Sequence, residues 1–356
     1  SQQNPSHIFN SLGCGVFTYT VSLTVTDING CSNTINKTVT IKQKPDISFK
    51  DNNFPLNPFN NCGSASASNP SYQITVGNTS VSASCISSYQ IDWGDGTTSA
   101  NVVFPIQHTY TLLGAYNMVI TAVGNNGCSD SKSYTVKNES NPSGGITSPG
   151  STQNLCAPTL PLQFAITNWA TNSPGTSYTI DYGDGKPLKT LYQNELIAST
   201  YYNSSNPSSS SNYPIPYTYD SSSCPSSNIT ATLTVTNSCG STTGTISNIS
   251  ILKKPTANFS NPASGCVNTI VLFTNLTNPG YGINCDTNVI YKWDFGDGSP
   301  IQEVISTTPQ NINHPYTTAG IYTVTLTSEG YCGITQKTQT ICIEPPLVPQ
   351  FSISTT

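Results

Sequence analysis

Charged side chains are scarce in this sequence of 356 residues, because 12 basic and 17 acidic residues make up only 8 % of it. Ordinary soluble domains have about a quarter of their residues charged. All 12 basic residues are lysine, and the net charge is −5. Nucleic-acid binding depends on clustered lysine and arginine, so we expect no nucleic-acid partner. No apolar run approaches the roughly 20 residues that cross a bilayer, and we expect no membrane span.

Histidine and methionine are also rare, with three and one residues, whereas cysteine occurs 12 times. The cysteines form no paired C-x-x-C motif and no zinc-ligand spacing with histidine. Disulfides in an oxidising compartment are the better interpretation, which predicts an extracellular or cell-surface location. The disulfide candidates are Cys62, Cys85, Cys128, Cys156, Cys224, Cys239, Cys266, Cys285, Cys332 and Cys342.

An internal repeat organises the chain. Each copy has an aromatic residue before a Gly-Asp-Gly turn, then a short block with His or Tyr two residues before Tyr, and then a strand of alternating apolar residues. The turns lie at 91–96, 180–185 and 293–298, the short blocks at 107–110, 216–219 and 313–316, and the strands at 115–121, 229–235 and 321–327. The start of the chain has only the later blocks, at 6–9 and 17–25.

These motifs resemble the PKD domain, an immunoglobulin-like sandwich marked by W-D-F-G-D-G, H-x-Y and G-x-Y-x-V-x-L-x-V. The third copy matches best, while the second has Ile180 and Tyr217 in place of Trp and His and an insertion at 191–212. The resemblance implies an all-β fold of tandem immunoglobulin-like sandwiches in an elongated array. It also implies an extracellular bacterial surface protein, an adhesin or a filament.

Proline-containing segments separate the copies and predict stiff, extended linkers. The expected domains are a partial one with C-terminal strands only at 1–44 and full ones at 45–137, 138–254 and 255–346; the second full one has a Ser/Asn-rich insertion. Residues 347–356 resemble a first strand. They begin a following domain of a longer chain, or they are a donor strand that completes the partial domain of the next subunit. The expected partners are flanking repeats or copies of this chain, arranged head-to-tail.

The cysteine positions leave two pairing schemes open. In the first scheme the pairs Cys85–Cys128, Cys285–Cys332, Cys156–Cys224 and Cys266–Cys342 lie within domains, and only Cys62–Cys239 crosses between two domains. In the second scheme more bridges cross, including Cys14–Cys85 and Cys224–Cys285. We favour the first scheme slightly.

Catalytic candidates are few. His7, His108 and His314 share one repeat position, and Asp95, Asp184 and Asp297 share another, so structural roles are expected and no enzyme activity is predicted. No cofactor is expected. Calcium near the linkers stays open as an alternative, although Asp46, Asp51 and Asp286 form no dense ligand run.

The sequence has candidate residues both for binding sugars and for carrying attached glycans. Tyrosines 182, 192, 201, 202, 213 and 217 cluster in or near the second copy and offer rings for sugar stacking. Eight Asn-x-Ser/Thr sites are glycosylation candidates, namely Asn36, Asn78, Asn138, Asn203, Asn228, Asn248, Asn258 and Asn275. The sequence predicts a structural stalk or fibre segment of a surface adhesin or filament. The alternative is a carbohydrate-binding accessory array of a secreted hydrolase.

Overall fold

A computed structural model describes residues 4–9, 11–66 and 69–352. Three separate apolar cores follow one another along this part of the chain. Each core lies between β-sheets that are mainly antiparallel. The predicted class, all-β with tandem immunoglobulin-like sandwiches, is therefore confirmed.

The first unit is an isolated hairpin, β1 (Val16–Thr26) with β2 (Ser32–Lys42). Its strands are antiparallel and pair from Val16↔Lys42 to Thr26↔Ser32. Nearly every residue of both strands is exposed. The apolar side chains that alternate along β1 therefore face no sheet in the described part of the chain.

Sandwich 1 packs two sheets, in the orders β3-β4-β7 and β6-β5-β8-β9, around Trp93. Alternation along β8 buries Met118, Ile120 and Ala122 completely, as period-two patterning predicts. Its strands are β3 (Phe49–Asp51), β4 (Tyr72–Asn78), β5 (Ile86–Asp92), β6 (Thr98–Ala100), β7 (Ile106–Tyr110), β8 (Gly114–Gly124) and β9 (Ser129–Asn138).

Sandwich 2 repeats this plan around Tyr178 and Trp169. Its two main sheets have the orders β10-β12-β15 and β14-β13-β16-β17, and β11 pairs with β18 in parallel. Its strands are β10 (Gly145–Thr147), β11 (Leu155–Ala157), β12 (Ala165–Thr167), β13 (Ser177–Asp181), β14 (Lys189–Tyr192), β15 (Tyr213–Pro214), β16 (Ile229–Asn237), β17 (Gly240–Ile249) and β18 (Ile251–Lys253).

The insertion of sandwich 2 contains one short helix, α1 (Gln193–Ile197). The sequence predicted no helix there because the run is short. Glu195 accepts a hydrogen bond from the Tyr192 N–H, and Leu196 is buried in the core, so a cap and one apolar contact hold this short helix. Within the described ranges, no helix is long and apolar enough to span a membrane.

Sandwich 3 surrounds Trp293 and Phe295 with sheets β19-β21-β24 and β20-β26-β25-β22-β23. Its strands are β19 (Phe259–Ser260), β20 (Ser264–Cys266), β21 (Ile270–Asn275), β22 (Val289–Asp294), β23 (Gln302–Ser306), β24 (Ile312–Pro315), β25 (Gly320–Gly330) and β26 (Gly333–Glu344). Residues 347–352, the described part of the expected first strand 347–356, form no strand. The rest of that expected strand, 353–356, lies outside the described residues.

Candidate functional site

A three-part contact, here called the turn clasp, closes the Gly-Asp-Gly turn of each sandwich. In sandwich 3, His314 Nε2 lies 2.8 Å from Asp297 Oδ2, and the His314 ring stacks on Phe295 with centroids 3.9 Å apart. Tyr316 donates its hydroxyl to the Phe295 carbonyl at 3.2 Å. The repeated Asp and His are thereby bound to each other inside the fold.

The other two sandwiches have the same clasp. In sandwich 1, His108 meets Asp95 at 2.7 Å and stacks on Trp93. In sandwich 2, the hydroxyl of Tyr217 takes the place of the imidazole and donates to Asp184 at 2.7 Å, with its ring stacked on Tyr182 at 3.6 Å. Because a phenol replaces the imidazole without loss of geometry, the clasp needs a flat ring with a polar edge and not a titratable base.

In sandwiches 1 and 3 the electrostatics of the clasp lower the pKa of the aspartate and favour its ionised form. Partial burial alone raises the pKa of Asp297, but hydrogen bonds from Ser299 and His314, together with the charge of His314, lower it to about 2. Desolvation likewise raises the pKa of Asp95, but hydrogen bonds from Thr97 and His108 outweigh it and lower that pKa. The third histidine of the repeat, His7, makes a T-shaped ring contact with Phe9, with centroids 4.6 Å apart.

The acidic residues weighed as calcium ligands lie apart in the fold. Asp51 is buried and accepts a hydrogen bond from the Asn53 N–H at 2.9 Å, and exposed Asp286 accepts one from the Asn288 N–H at 3.1 Å. Asp46 belongs to the linker before sandwich 1 and donates its N–H to Ser82. In the described ranges no three His, Cys, Asp or Glu side chains are grouped to hold a metal ion.

Disulfides mark the second candidate site, the junctions between consecutive units. We call these the hairpin joint (hairpin to sandwich 1), the middle joint (sandwich 1 to 2) and the last joint (sandwich 2 to 3). The four bridges are Cys14–Cys85, Cys62–Cys239, Cys156–Cys332 and Cys224–Cys285, each with Cα atoms 5.6 Å apart. Every one of them crosses a joint.

The bridges fall into two classes. A turn staple joins a cysteine beside the last strand of one sandwich to the turn of the next unit's C-terminal hairpin, as in Cys62–Cys239 and Cys156–Cys332. A loop staple joins a cysteine that precedes a C-terminal hairpin to the loop before the next unit's third main strand, as in Cys14–Cys85 and Cys224–Cys285. The C-terminal hairpins are β1–β2, β8–β9, β16–β17 and β25–β26.

The favoured pairing scheme is wrong in most of its members. Cys62–Cys239 is confirmed, but Cys85–Cys128, Cys285–Cys332 and Cys156–Cys224 do not form, since five of those six cysteines bond across a joint. Cys14–Cys85 and Cys224–Cys285, from the second scheme, are confirmed. The pair Cys266–Cys342 does not form either: Cys31, Cys128, Cys266 and Cys342 are unpaired.

The physical reason lies at the ends of the sandwiches. Two cysteines at the same end of one sandwich both face the neighbouring unit. At the last joint, Cys156 and Cys224 therefore each meet a cysteine of sandwich 3. At the hairpin joint Cys85 meets Cys14, and Cys128 stays unpaired.

Asparagine side chains support the same joints. Asn126, two residues before Cys128, donates its amide to the carbonyls of Gly15 and Gln43 at 3.0 and 2.7 Å. Asn237, two residues before Cys239, donates to the Ser140 carbonyl at 2.9 Å. In both turns the amide oxygen accepts the N–H of the following cysteine at 2.9 Å. One residue type thus orients the cysteine and binds the linker.

The last joint has a further backbone contact. Lys253 and Tyr281 exchange backbone hydrogen bonds of 3.0 and 2.8 Å, and Thr256 and Asn278 exchange another pair. Gly280 between them has φ +67°, and a Cβ there would lie 2.2 Å from the Lys253 carbonyl oxygen. The sequence does not distinguish this glycine, because Pro-Gly at 279–280 looks like any turn.

The tyrosines of the second copy do not form one exposed platform. Tyr182 is buried, and Tyr202, Tyr213 and Tyr217 pack against the core of sandwich 2. Only Tyr192 and Tyr201 are exposed, at 53 % and 40 %.

Two of the glycosylation candidates are buried. Asn138 is fully buried, and its amide donates to the carbonyls of Pro70 and Leu112 at 2.7 and 2.9 Å. Asn275 is 6 % exposed. The amide nitrogens of these two residues do not reach a modifying enzyme in the folded chain. Asn78 is half-buried, and Asn36, Asn203, Asn228, Asn248 and Asn258 are exposed.

Comparison with known proteins finds a resemblance to PKD and immunoglobulin-like domains. A model of the PKD domain family matches residues 253–344, which include sandwich 3. The PKD domain of the human receptor SorCS2 is 22 % identical, over 28 % of this chain and 80 % of that one, with a TM-score of 0.24. A structure of titin domains is 12 % identical over 84 % and 99 % of the two chains, with a TM-score of 0.25. An ICAM-5 ectodomain fragment is 10 % identical over 92 % and 83 %, with a TM-score of 0.35.

PKD-type and immunoglobulin-like domains are typical of extracellular adhesion and structural modules, and they are generally non-catalytic.

Proposed function

We propose that this chain is a tension-bearing stalk or fibre segment of an extracellular surface protein. The observation that carries this proposal is that all four disulfides in the described part of the chain cross joints. A domain that needs bridges for its own stability has them inside its fold. Here each sandwich has a large aromatic core of its own, so the bridges act on the connections.

The bridges also shorten the covalent path through the chain. Along the backbone, the path from Cys14 to Cys332 runs through all three sandwiches, but a path through Cys14–Cys85 and Cys156–Cys332 crosses only the segment 85–156. At about 3.5 Å per extended residue, full unfolding under tension lengthens this span to about 250 Å instead of about 1,100 Å. The molecule therefore limits its own extension.

The composition supports an extracellular setting. Disulfides persist in oxidising compartments, and a chain with only 8 % charged residues responds little to salt because it has few ion pairs to be screened. The partners in this proposal are neighbouring units of the same design, attached head-to-tail, and exposed asparagines such as Asn36 and Asn258 bear glycans. The role is mechanical, with no catalytic step.

Single-molecule stretching of the intact chain, held at its two ends, tests this function. In the oxidised chain, the span between residues 14 and 332 should reach no more than about 250 Å from the extended length per residue. Reduction should let the same span reach about four times that length. The proposal fails if oxidised and reduced chains reach the same extension, or if the sandwiches separate at forces below those that unfold them.

Two paired variants make the test specific. In Cys14→Ser/Cys85→Ser the shortest path follows the segments 14–62, 224–239 and 285–332, joined by the bridges Cys62–Cys239 and Cys224–Cys285. From the same extended length per residue, the limit should rise by about half, to about 380 Å. In Cys62→Ser/Cys239→Ser the path through 85–156 remains, so the limit should not change.

A further inference from the structure

Cys128 lies in the turn of the β8–β9 hairpin and is unpaired, as is Cys31 in the turn of β1–β2, whereas the equivalent cysteines of sandwiches 2 and 3, Cys239 and Cys332, form turn staples. Its position is that of a stapled residue. Cys128 Sγ is 3.9 Å from the Lys42 carbonyl oxygen, as Cys239 Sγ is 3.6 Å from the Glu139 carbonyl oxygen. One half of a turn staple is therefore in place at the hairpin joint.

The other half of a turn staple has a consistent setting in the three sandwiches. Cys156 pairs with Leu252 in the parallel β11–β18 ladder, and Cys266 pairs with Glu344 in the parallel β20–β26 ladder. Near Cys62, Asn60 forms a parallel bridge to Lys137. The cysteine thus lies on, or two residues after, a short parallel pairing along the free edge of the last strand.

The N-terminal hairpin has this edge open. In the described residues β2 pairs with β1 only. Thr40 of β2 follows the turn cysteine Cys31 at the same distance in sequence as Lys137 of β9 follows Cys128. The N–H and C=O of Lys137 bond to Phe59 and Asn61. Thr40 therefore presents an unpaired backbone donor and acceptor in the position that holds the parallel segment in sandwich 1.

The apolar face of the β1–β2 hairpin indicates which kind of structure contributes the short parallel segment beside β2. Val21 and Leu23 are 45 % and 60 % exposed, while Val324 and Leu326, at the same positions of β25, are fully buried by the other strands of sandwich 3. Equivalent residues in sandwiches 1 and 2 are fully buried too. The complement of this apolar face is an immunoglobulin-like half, the same half that contains the parallel segment.

We propose that Cys128 forms a turn staple with a cysteine on a short parallel strand that adds to the edge of β2 at Thr40. The partner is the immunoglobulin-like half that covers the apolar face of β1–β2. With Cys14–Cys85, this bond gives the hairpin joint one staple of each class, as in the last joint. The inference rests on the proposed mechanical function and identifies the partner of its first joint.

The chain itself contains a suitable probe. Residues 261–268 include the parallel strand β20 with the unpaired Cys266. A synthetic peptide of these residues, with its cysteine held as a mixed disulfide with glutathione, is offered to the full chain with its four bridges intact. The Cys128 thiolate attacks the peptide sulfur, a protein–peptide disulfide forms, and glutathione leaves as the thiol.

The order in which the cysteines react depends on whether solvent exposure or strand pairing at the β2 edge controls the reaction. Cys31, Cys266 and Cys342 are exposed and Cys128 is half-buried, so glutathione disulfide alone should modify Cys128 last. The peptide should instead be captured at Cys128 at least tenfold faster than at Cys31 or Cys342, as read by peptide mapping. If the peptide follows the order of exposure, the proposal is overturned.

Two controls address the geometry. A peptide with its cysteine moved by one residue presents the sulfur on the opposite face and should lose the preference for Cys128. Thr40→Pro removes the backbone donor at the β2 edge and should abolish capture while Cys14–Cys85 persists. Capture that survives both changes contradicts the strand-addition model. Neither result affects the extension limit set by the four existing bridges, so the two proposals fail separately.

Discussion

At the residue scale, the glycine before the repeated aspartate is fixed by a close backbone contact. Gly94, Gly183 and Gly296 have φ near +80°, and a Cβ on each would lie 2.3–2.6 Å from a carbonyl oxygen of the neighbouring strand. The Gly-Asp-Gly pattern predicted a turn, and that prediction holds. The first glycine of the turn tolerates a side chain less well than the second because of this contact, and the contact is visible only in the fold.

The variant Gly296→Ala should cost about 3 kcal/mol or more, because left-handed strain of about 1–2 kcal/mol adds to the clash with the Thr323 carbonyl. Its matched control is Gly298→Ala, which has φ +82° but no atom within 4 Å of the new Cβ and should cost about 1 kcal/mol from the strain alone. Hydrogen exchange of β25 amides in the full chain measures both. Equal costs would mean that the contact is not responsible.

Acid should weaken the clasp of sandwich 3. Desolvation raises the pKa of Asp297, but hydrogen bonds and the charge of His314 outweigh it and lower this pKa from 3.8 to about 2. Below pH 4 the unfolded chain therefore binds a proton that the folded chain does not, and the stability contributed by this carboxylate is lost as pH falls towards 2.

Calorimetry of the full chain between pH 5 and 2 measures this effect. The destabilisation caused by Asp297→Asn should be largest at pH 5 and should shrink towards pH 2. Asp286→Asn, in an exposed turn, serves as the control. A destabilisation by Asp297→Asn that is constant with pH would show that packing, and not charge, holds the clasp.

At the scale of elements, the sequence predicted the long strands because their apolar residues alternate. The alternation along 115–121, 229–235 and 321–327 became β8, β16 and β25. The short parallel strands β11 and β20 were not predicted, since three residues such as Ser264–Cys266 show no periodicity. Their formation depends on the edge of a neighbouring strand and not on their own pattern.

The loop at the last joint offers a test at this scale. Gly280→Ala places a methyl group 2.2 Å from the Lys253 carbonyl oxygen and should separate the loop from the linker. Hydrogen-exchange protection of the Lys253 and Thr256 amides should fall by at least tenfold, while Val324 in the core stays protected. Gly282→Ala, whose nearest contact is 3.5 Å, should change neither.

At the scale of the whole molecule, bridges and cores are separate sources of stability. Trp93, Trp169 and Trp293 are each at most 1 % exposed, one in each sandwich, and no bridge in the described chain lies within one sandwich. Reduction should therefore keep the near-ultraviolet circular dichroism of the cores and widen the distribution of distances between sandwiches in solution scattering. Loss of the aromatic signal on reduction would show that the cores depend on the bridges.

Local signals in the sequence are enough to predict the fold class, since alternating strands, Asp-Gly turns and a repeated aromatic recur in each copy. The sequence also indicated disulfides in an oxidising environment. Only the tertiary structure decided which cysteines pair. A disulfide requires two Cα atoms within about 7 Å, and that distance depends on how the end of one sandwich meets the start of the next. No local pattern encodes this placement. The sequence therefore did not determine that Cys85 bonds to Cys14 across a joint and not to Cys128 in its own domain.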